Sequence, residues 1–474
     1  MFSIKNVLLL IIIFTVPITN AFFRNIINKN NKNFKISDNE IIETIDYTNV
    51  LAKDKKIISK INGFYGIIGP DIDITTTSTL YDLFLGNGNI QGVFFKNGEL
   101  TFIKYFIRTE KLLFEEKYGK IPKFFMLTGF LMLMDKMIPN TITKIPNTLG
   151  VANTAILNIK TKNYALFEQD HPYEIDIDFN RNQINTIGKQ KIAKIEHFSA
   201  HSKYDIIENK IYTLDYDVLK NSVEYYSMNE NFDILNKIKI KTDYIPLIHD
   251  FIVLKNNILI TDSPIKFKIK KLFNSNIPVS FDKNLSTKIH LINKKNGEIE
   301  TYISDESFYI FHYAIHRETD NFIEIYAAVY ENLDFSKLDI HGRYRKIVLN
   351  KKTKKVIIEK NPELEKYNVD FPVKVNNKII LRSLNNNKID SFLLCEGLDI
   401  KKKIFIKDKS ICGEPVVAEI DKTPYLISFA YDDLNNGFLL FINLKNFYKI
   451  EIPIPHNINI GFHSIFIKNT NIKN

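Results

Sequence analysis

The stretch QGVFFKNGELTFIKYFI (91–107) sets two runs of β-branched and aromatic residues on either side of Asn97-Gly98. Asn-Gly suits a tight turn whose central residues take positive φ, so the pattern reads as a β-hairpin. The same grammar recurs along the chain in TAILNIKTKNYALFE (154–168), NKIYTLDYDV (209–218), DFIVLKNNILITD (250–262), KIHLINKKNGEIETYI (288–303), NFIEIYAAVYE (321–331), YRKIVLNKKTKKVIIEK (344–360), NKIILRSL (377–384), PYLISFAYDD (424–433) and GFLLFINLKNFYKIEIPI (437–454). Strands at this density through residues 40–474 predict an all-β domain, either a β-propeller or a large sandwich or barrel array. The propeller is preferred, because a ring holds many hairpins in one globule without open sheet edges.

One segment breaks the pattern. RTEKLLFEEKYGKIPKFFMLTGFLMLMDKMIP (108–139) lacks alternation and carries four of the six methionines. Its apolar residues recur at three- and four-residue spacing, which predicts a helical insertion. Two readings fit: a core-facing insertion, or an apolar surface that touches a membrane or opens a pocket for an apolar substrate. In the second, Phe124, Phe125, Phe130 and Leu131 are the candidate entry residues.

The N-terminus reads as a leader. One lysine precedes an apolar run from Val7 to Val16, and Thr19-Asn20-Ala21 places small residues at −3 and −1, the form of a secretory signal peptide over 1–21. The run is too short for a good membrane span. Residues 22–39 begin FFRNIINKNNKNFK, basic and Asn-rich, and read either as a linker or as a transit segment behind the signal. A bipartite leader of that kind, with Phe at the start of its second part, resembles those directing proteins to plastids of secondary origin. The expected destination is therefore the secretory route, ending in such a plastid or in the ER or outside the cell.

The chain carries a formal charge of +10, with lysine spread throughout rather than on one face. No RNA-binding signature accompanies it, so no nucleic-acid partner is expected. KIKIKTDY (237–244) and KFKIKKLF (266–273) alternate lysine with apolar residues and read as solvated strand edges, in preference to an anionic membrane contact. Two cysteines, Cys395 and Cys412, make neither a disulfide scaffold nor a Cys-rich zinc site, and free buried thiols are preferred to a single bridge.

Ten histidines are present, and four lie at or beside β-runs: His201, His249, His312 and His463. Inner strands of a propeller converge on its axis, and imidazole ligates iron, zinc and copper. The pairs His197/His201 and His312/His316 compete, because i, i+4 histidines on a helix can chelate zinc. FYIFHYAIH (308–316), however, reads as a strand, on which such residues lie too far apart. Spacing alone leaves scattered structural histidines the simpler reading.

The flanking residues go further. In order along the chain, INGFYGIIGPDI (61–72), LFLGNGNIQGVFFKNGELTFIKYFIRTE (83–110), GVANTAILNIKTKNYALFEQDHPYEID (150–176), FSAHSKYDIIENKIYTLDYD (198–217), LIHDFIVLKNNILITDSP (247–264), FHYAIHRETDN (311–321), YNVDFPVKV (367–375), CGEPVVAEI (412–420) and IPIPHNINIGFHSIFI (452–467) resemble the signature segments of the carotenoid cleavage oxygenase family. The resemblance implies a seven-bladed propeller with a helical dome, and Fe(II) held on the axis by His201, His249, His312 and His463. It implies that Glu168, Asp370 and Glu414 orient His249, His312 and His463 respectively, leaving His201 without such a partner. It places Thr154 beside an open iron position, where its methyl limits access. His197 and His316 fall outside the pattern. The implied activity is O2-dependent cleavage of a carotenoid or apocarotenoid double bond, with peripheral membrane contact to reach the polyene. The alternatives are a stilbene-cleaving or retinoid-isomerising relative, or a propeller that binds without catalysis.

The chain departs from the family in several places. Asp370 stands where Glu is usual, and is one methylene shorter. Compensation could come from a closer backbone, a longer hydrogen bond or a bridging water. There is no tryptophan, LGNGN replaces an Asp-containing turn, HYAIH replaces Asn-Ala-Tyr-Glu, and the segment after EPVV is short.

Overall fold

The computed structural model describes residues 40–72, 77–120, 150–218, 220–268, 279–338, 340–385 and 388–469. Seven antiparallel sheets form the blades of a propeller. Six are four-stranded meanders in sequence order, starting at Ala155–Ile159, Lys203–Asp205, Ile252–Val253, Tyr309–Glu318, Asn368–Val375 and Ser410–Ile420. The blade starting at Ile252–Val253 also carries a small two-stranded insertion, Ile265–Phe267 with Val279–Phe281. The remaining blade joins both ends of the described chain. Its strands run in the order Ile41–Thr44, Glu99–Phe106, Asn87–Lys96, Gly63–Asp71 and Ser464–Lys468.

Apolar side chains explain why the sheets stack in a ring. Each blade is apolar on both faces, and a separate buried cluster fills each of the seven seams between neighbours. Phe64, Ile90 and Phe94 meet Ala165, Tyr173 and Ile175 in one seam. Tyr344 meets Val369, Leu381 and Leu393 in another. The last seam packs Tyr65, Ile67 and Phe102 against Ile427, Phe429 and Phe441, so the seventh blade closes onto the first. There Ser464–Lys468 pairs with Gly63–Asp71, Tyr65 opposite Phe466. Outer strands are solvated as their alternation predicts. In Ile234–Lys241, Lys237, Lys239 and Lys241 are exposed while Ile240 is buried. Cys395 and Cys412 are buried and unbridged.

The meander fixes a polarity that matters for the site. Every innermost strand leaves one face of the ring, and the loops joining second to third strands return to it. That face receives the short helix Leu80–Phe84 and the helix Glu110–Tyr118, capped by the Thr109 hydroxyl accepting from the Leu112 N–H at 3.1 Å. The second helix is the start of the insertion expected at 108–139. Its continuation, with Phe124, Phe125, Phe130 and Leu131, lies outside the described residues, as do the leader segments 1–21 and 22–39. Among the described residues, no helix is long and apolar enough to cross a membrane.

Ile67 is fully buried in the closing seam. Ile67→Ala should lower stability by about 2–5 kcal/mol through lost burial and an unfilled cavity. A urea midpoint that falls with an unchanged slope checks this; an unchanged midpoint would mean the seam does not carry ring closure.

Candidate metal centre

Four histidines meet where the inner strands begin. His201 lies two residues before Lys203–Asp205, His249 three before Ile252–Val253, and His463 directly before Ser464–Lys468, while His312 sits within Tyr309–Glu318. Their potential ligand atoms all lie within 4.8 Å of one another. Nε2 of His201 is 3.0 Å from Nε2 of His249, and Nε2 of His312 is 3.2 Å from Nε2 of His463. The rings stand edge to face, His201 against His463 at 85°.

The far nitrogens explain the convergence. His312 Nδ1 lies 2.9 Å from Asp370 Oδ1, and His463 Nδ1 lies 3.0 Å from Glu414 Oε2. His249 Nδ1 pairs with the Glu168 carboxylate. A carboxylate accepts at Nδ1, so each of these rings keeps its proton there and turns an Nε2 lone pair inward. His201 has no carboxylate partner among the described residues.

Electrostatics agree at His201 and His312. Burial holds His201 well below the ordinary histidine range, and the neighbouring imidazoles push it the same way. Burial also lowers His312, against the pull of Asp370. Both shifts favour the neutral ring. Burial depresses His249 too, but the Glu168 charge and hydrogen bond, with the Asp250 and Asp370 charges, together outweigh it and the net shift is upward. Burial raises Glu168 and Asp370, but their histidines together with backbone N–H groups, and the Tyr330 hydroxyl at Asp370, hold both below the usual carboxylate range.

A cation fits this arrangement. With Nδ1 of His312 and His463 both donating outward, their Nε2 lone pairs face each other with no proton to share. An ion between them removes the repulsion. Two nitrogens about 2.1 Å from one ion and at right angles stand about 3.0 Å apart, close to the two spacings seen. The donor set is imidazole only, with each carboxylate one layer out.

Bulges aim three of these side chains. The pairing of Tyr309–Glu318 shifts on both sides of Tyr313, next to His312. Asn368–Val375 shifts between Asp370 and Val373, and Ser410–Ile420 between Cys412 and Val416, around Glu414. The extra residues break the alternation that would turn a side chain away. At the second bulge Phe371 takes φ +55°, a strained conformation for a bulky residue, costing about 1–3 kcal/mol. Its ring packs 4.8 Å from His312 and 5.3 Å from His463, with the Arg382 guanidinium over it, 4.0 Å from the Phe371 ring centroid. At this bulge the shorter Asp370 reaches His312 directly, at ordinary hydrogen-bond distance. Its other oxygen accepts from the Tyr330 hydroxyl at 2.6 Å. At the third bulge Gly413 takes φ +64°, and a Cβ there would stand 2.1 Å from Ile67 Cδ1.

The remaining expected residues are placed as follows. Thr154 is buried; its N–H donates to Leu166 and its hydroxyl to Asn153 Oδ1 at 3.0 Å. It directly precedes Ala155, which lines a cavity of about 300 Å3 shared with His201, His312 and His463. His197 pairs instead with Asp215 at 3.2 Å, and His316 lies further along the His312 strand, so neither i, i+4 pair chelates. Sequence reasoning missed Phe371, Tyr330 and Phe311, whose ring stands 5.5 Å from His249. An aromatic flanking each ligand segment was the only local signal.

Comparison with known proteins accords with this. The family model described as retinal pigment epithelial membrane protein matches residues 56–468. A propeller whose axial imidazole cluster, with outlying carboxylates, could hold a metal ion defines the class, and this chain belongs to the carotenoid cleavage oxygenase family. It is 26% identical over 294 residues to carotenoid 9,10(9',10')-cleavage dioxygenase 1 of Pisum sativum, covering 60% of this chain and 53% of that one. It thus spans about half the length of that relative. A probable chloroplastic carotenoid cleavage dioxygenase 4 of Arabidopsis thaliana is 21% identical, covering 87% of this chain and 76% of that one. Among solved structures, a lignostilbene dioxygenase of Pseudomonas brassicacearum superposes with a TM-score of 0.73 at 14% identity, covering 91% of this chain and 96% of that one. Cobalt-substituted Synechocystis apocarotenoid oxygenase gives 0.71 at 16% identity, with the same coverage.

Removing the Asp370 carboxylate frees His312 to rotate. Asp370→Ala should weaken metal affinity by about 10–100-fold, and Tyr330→Phe by less than about tenfold. Competition titration with a chromophoric chelator measures both; equal affinity in Asp370→Ala and wild type would remove the orienting role.

Proposed function

We propose that the protein is an Fe(II)-dependent dioxygenase that cleaves a carbon–carbon double bond of a carotenoid or apocarotenoid. The observation that carries this is the convergence of four imidazole nitrogens with no carboxylate among the inner ligands. The reaction balances simply: the double bond breaks, and one atom of O2 ends in each of two carbonyl products. No protein acid or base is required.

His201, His249, His312 and His463 would hold the iron. Ferrous iron bound there supplies electron density and open positions for dioxygen chemistry. Four neutral ligands leave its +2 charge undiminished, and Glu168, Asp370 and Glu414 balance that charge from one layer out. Thr154, next to the cavity wall, is assigned to restrict an open position. An apolar cluster on the same face includes Phe311, Leu80, Tyr309, Leu333 and Phe335, with Phe84 packed against it. These side chains exclude water and suit a polyene. The insertion at 108–139, which begins on this face, is assigned to membrane contact and substrate entry through Phe124, Phe125, Phe130 and Leu131. The leader is assigned to the secretory route, ending in a plastid of secondary origin or in the ER or outside the cell. Structural likeness to a lignostilbene dioxygenase keeps a phenolic alkene as the second substrate reading.

The test uses residues 40–474, metal analysis, and apocarotenals and a stilbene incubated under air and under argon. Iron close to one per chain, oxygen-dependent loss of polyene absorbance and 18O from 18O2 in both products are expected. His249→Ala should lose iron and activity together. Loss of stilbene alone would move the substrate class. Bleaching without 18O incorporation would point to isomerisation, and absence of iron and of bleaching would leave a binding protein. Separately, Leu131→Asp should release the full chain from membranes on flotation with iron content unchanged; undiminished flotation would remove the entry assignment.

A further inference from the structure

Asp250 follows His249 directly and is buried, 6% exposed. It lines the same 300 Å3 cavity as His201, His312 and His463. Its Oδ1 accepts from Lys203 Nζ at 2.7 Å and from the Phe251 N–H at 2.8 Å. Its Oδ2 accepts from the Tyr313 N–H at 3.1 Å.

The partners matter for where they lie. Lys203 is two residues after His201, and Tyr313 is one residue after His312. A single carboxylate therefore ties together the histidine-bearing segments of three consecutive blades. The bulge makes this contact available. Pairing is interrupted on both sides of Tyr313, and its N–H turns to Asp250. The Tyr313 hydroxyl is held in turn by Thr261 Oγ1 at 2.5 Å. Lys203 is fixed on its other side by lying over the Phe251 ring, 5.2 Å from its centroid. The fourth segment has its own tie. Glu414 Oε2 accepts from the Ser464 N–H at 3.3 Å, and the Ser464 hydroxyl donates to the Glu414 carbonyl at 2.5 Å.

The three orienting carboxylates each set the rotation of one ring. Asp250 contacts backbone and a lysine instead, so it sets the distances between rings. We propose that Asp250 is a positioning residue that fixes the mutual spacing of His201, His249 and His312, through Lys203 and the Tyr313 backbone, and thereby the ligand field and the release rate of the bound metal. The inference rests on the metal reading of the site.

Its test reads the metal rather than turnover. Full-length apoprotein is loaded with Co(II), its visible ligand-field bands are recorded, and release into excess chelator is timed. Asp250→Ala should shift the bands and speed release about 10–100-fold. Asp250→Asn keeps one acceptor oxygen, enough for one of the two backbone N–H groups, and loses the charge facing Lys203; it should fall between. Lys203→Met cuts only the arm to His201, on a part-exposed side chain, and carries the test if Asp250→Ala does not fold. It should also shift the bands and speed release. Variants that melt lower yet keep wild-type bands and release would show a purely structural role and overturn the proposal. Wild-type protein that takes up no cobalt would instead overturn the metal reading itself.

Discussion

Four imidazole nitrogens gathered within 4.8 Å present their lone pairs to one another, and this crowding is the constraint the rest of the structure answers. Left alone, the rings would rotate apart or take up protons. Carboxylates at the far nitrogens prevent the first for three of them. Burial discourages the second at His201 and His312, where charging is unfavourable. The arrangement is thus costly as a protein core and favourable as a cation site. The cost is spread over strained or demanding backbone positions at Phe371 and Gly413.

The propeller is suited to supplying such a cluster. Each ligand comes from the beginning of an inner strand, and each inner strand belongs to a sheet buried on both faces against its neighbours. Side chains far apart in sequence are therefore delivered by the stiffest parts of the fold. Because the seams are separate, a loop on the metal-bearing face can change length or composition without disturbing the packing between blades. The departures in this chain, from LGNGN to the HYAIH strand, fit that separation. LGNGN falls at the turn into Asn87–Lys96 and HYAIH lies within the inner strand Tyr309–Glu318, yet the four histidine positions stay together.

Much of this was legible in the sequence, and the remainder failed for physical reasons. Alternation and Asn-Gly turns reveal hairpins because side-chain period and turn conformation are local properties. The four histidines stand out through their neighbours, since glycines, prolines and aromatics around them must fit particular backbone shapes. Asp370 was ambiguous because a side chain one methylene short can be compensated in several ways. The structure shows a direct contact to His312 beside the bulge between Asp370 and Val373, and no local signal marks a left-handed Phe371. Asp250 was equally hidden. Its position beside His249 is visible, but Lys203 and Tyr313 come to it only once three blades are stacked. The pairing of Ser464–Lys468 with Gly63–Asp71 joins segments at opposite ends of the domain, a separation no window of sequence spans.

That last pairing also orders events in time. His463 is carried by the segment that closes the ring, directly before its final strand. A ribosome must therefore have released nearly the whole domain before the fourth imidazole can reach the other three. Chains cut short by damage or interrupted synthesis would present at most an incomplete ligand set. Only a finished, closed ring brings all four imidazoles together.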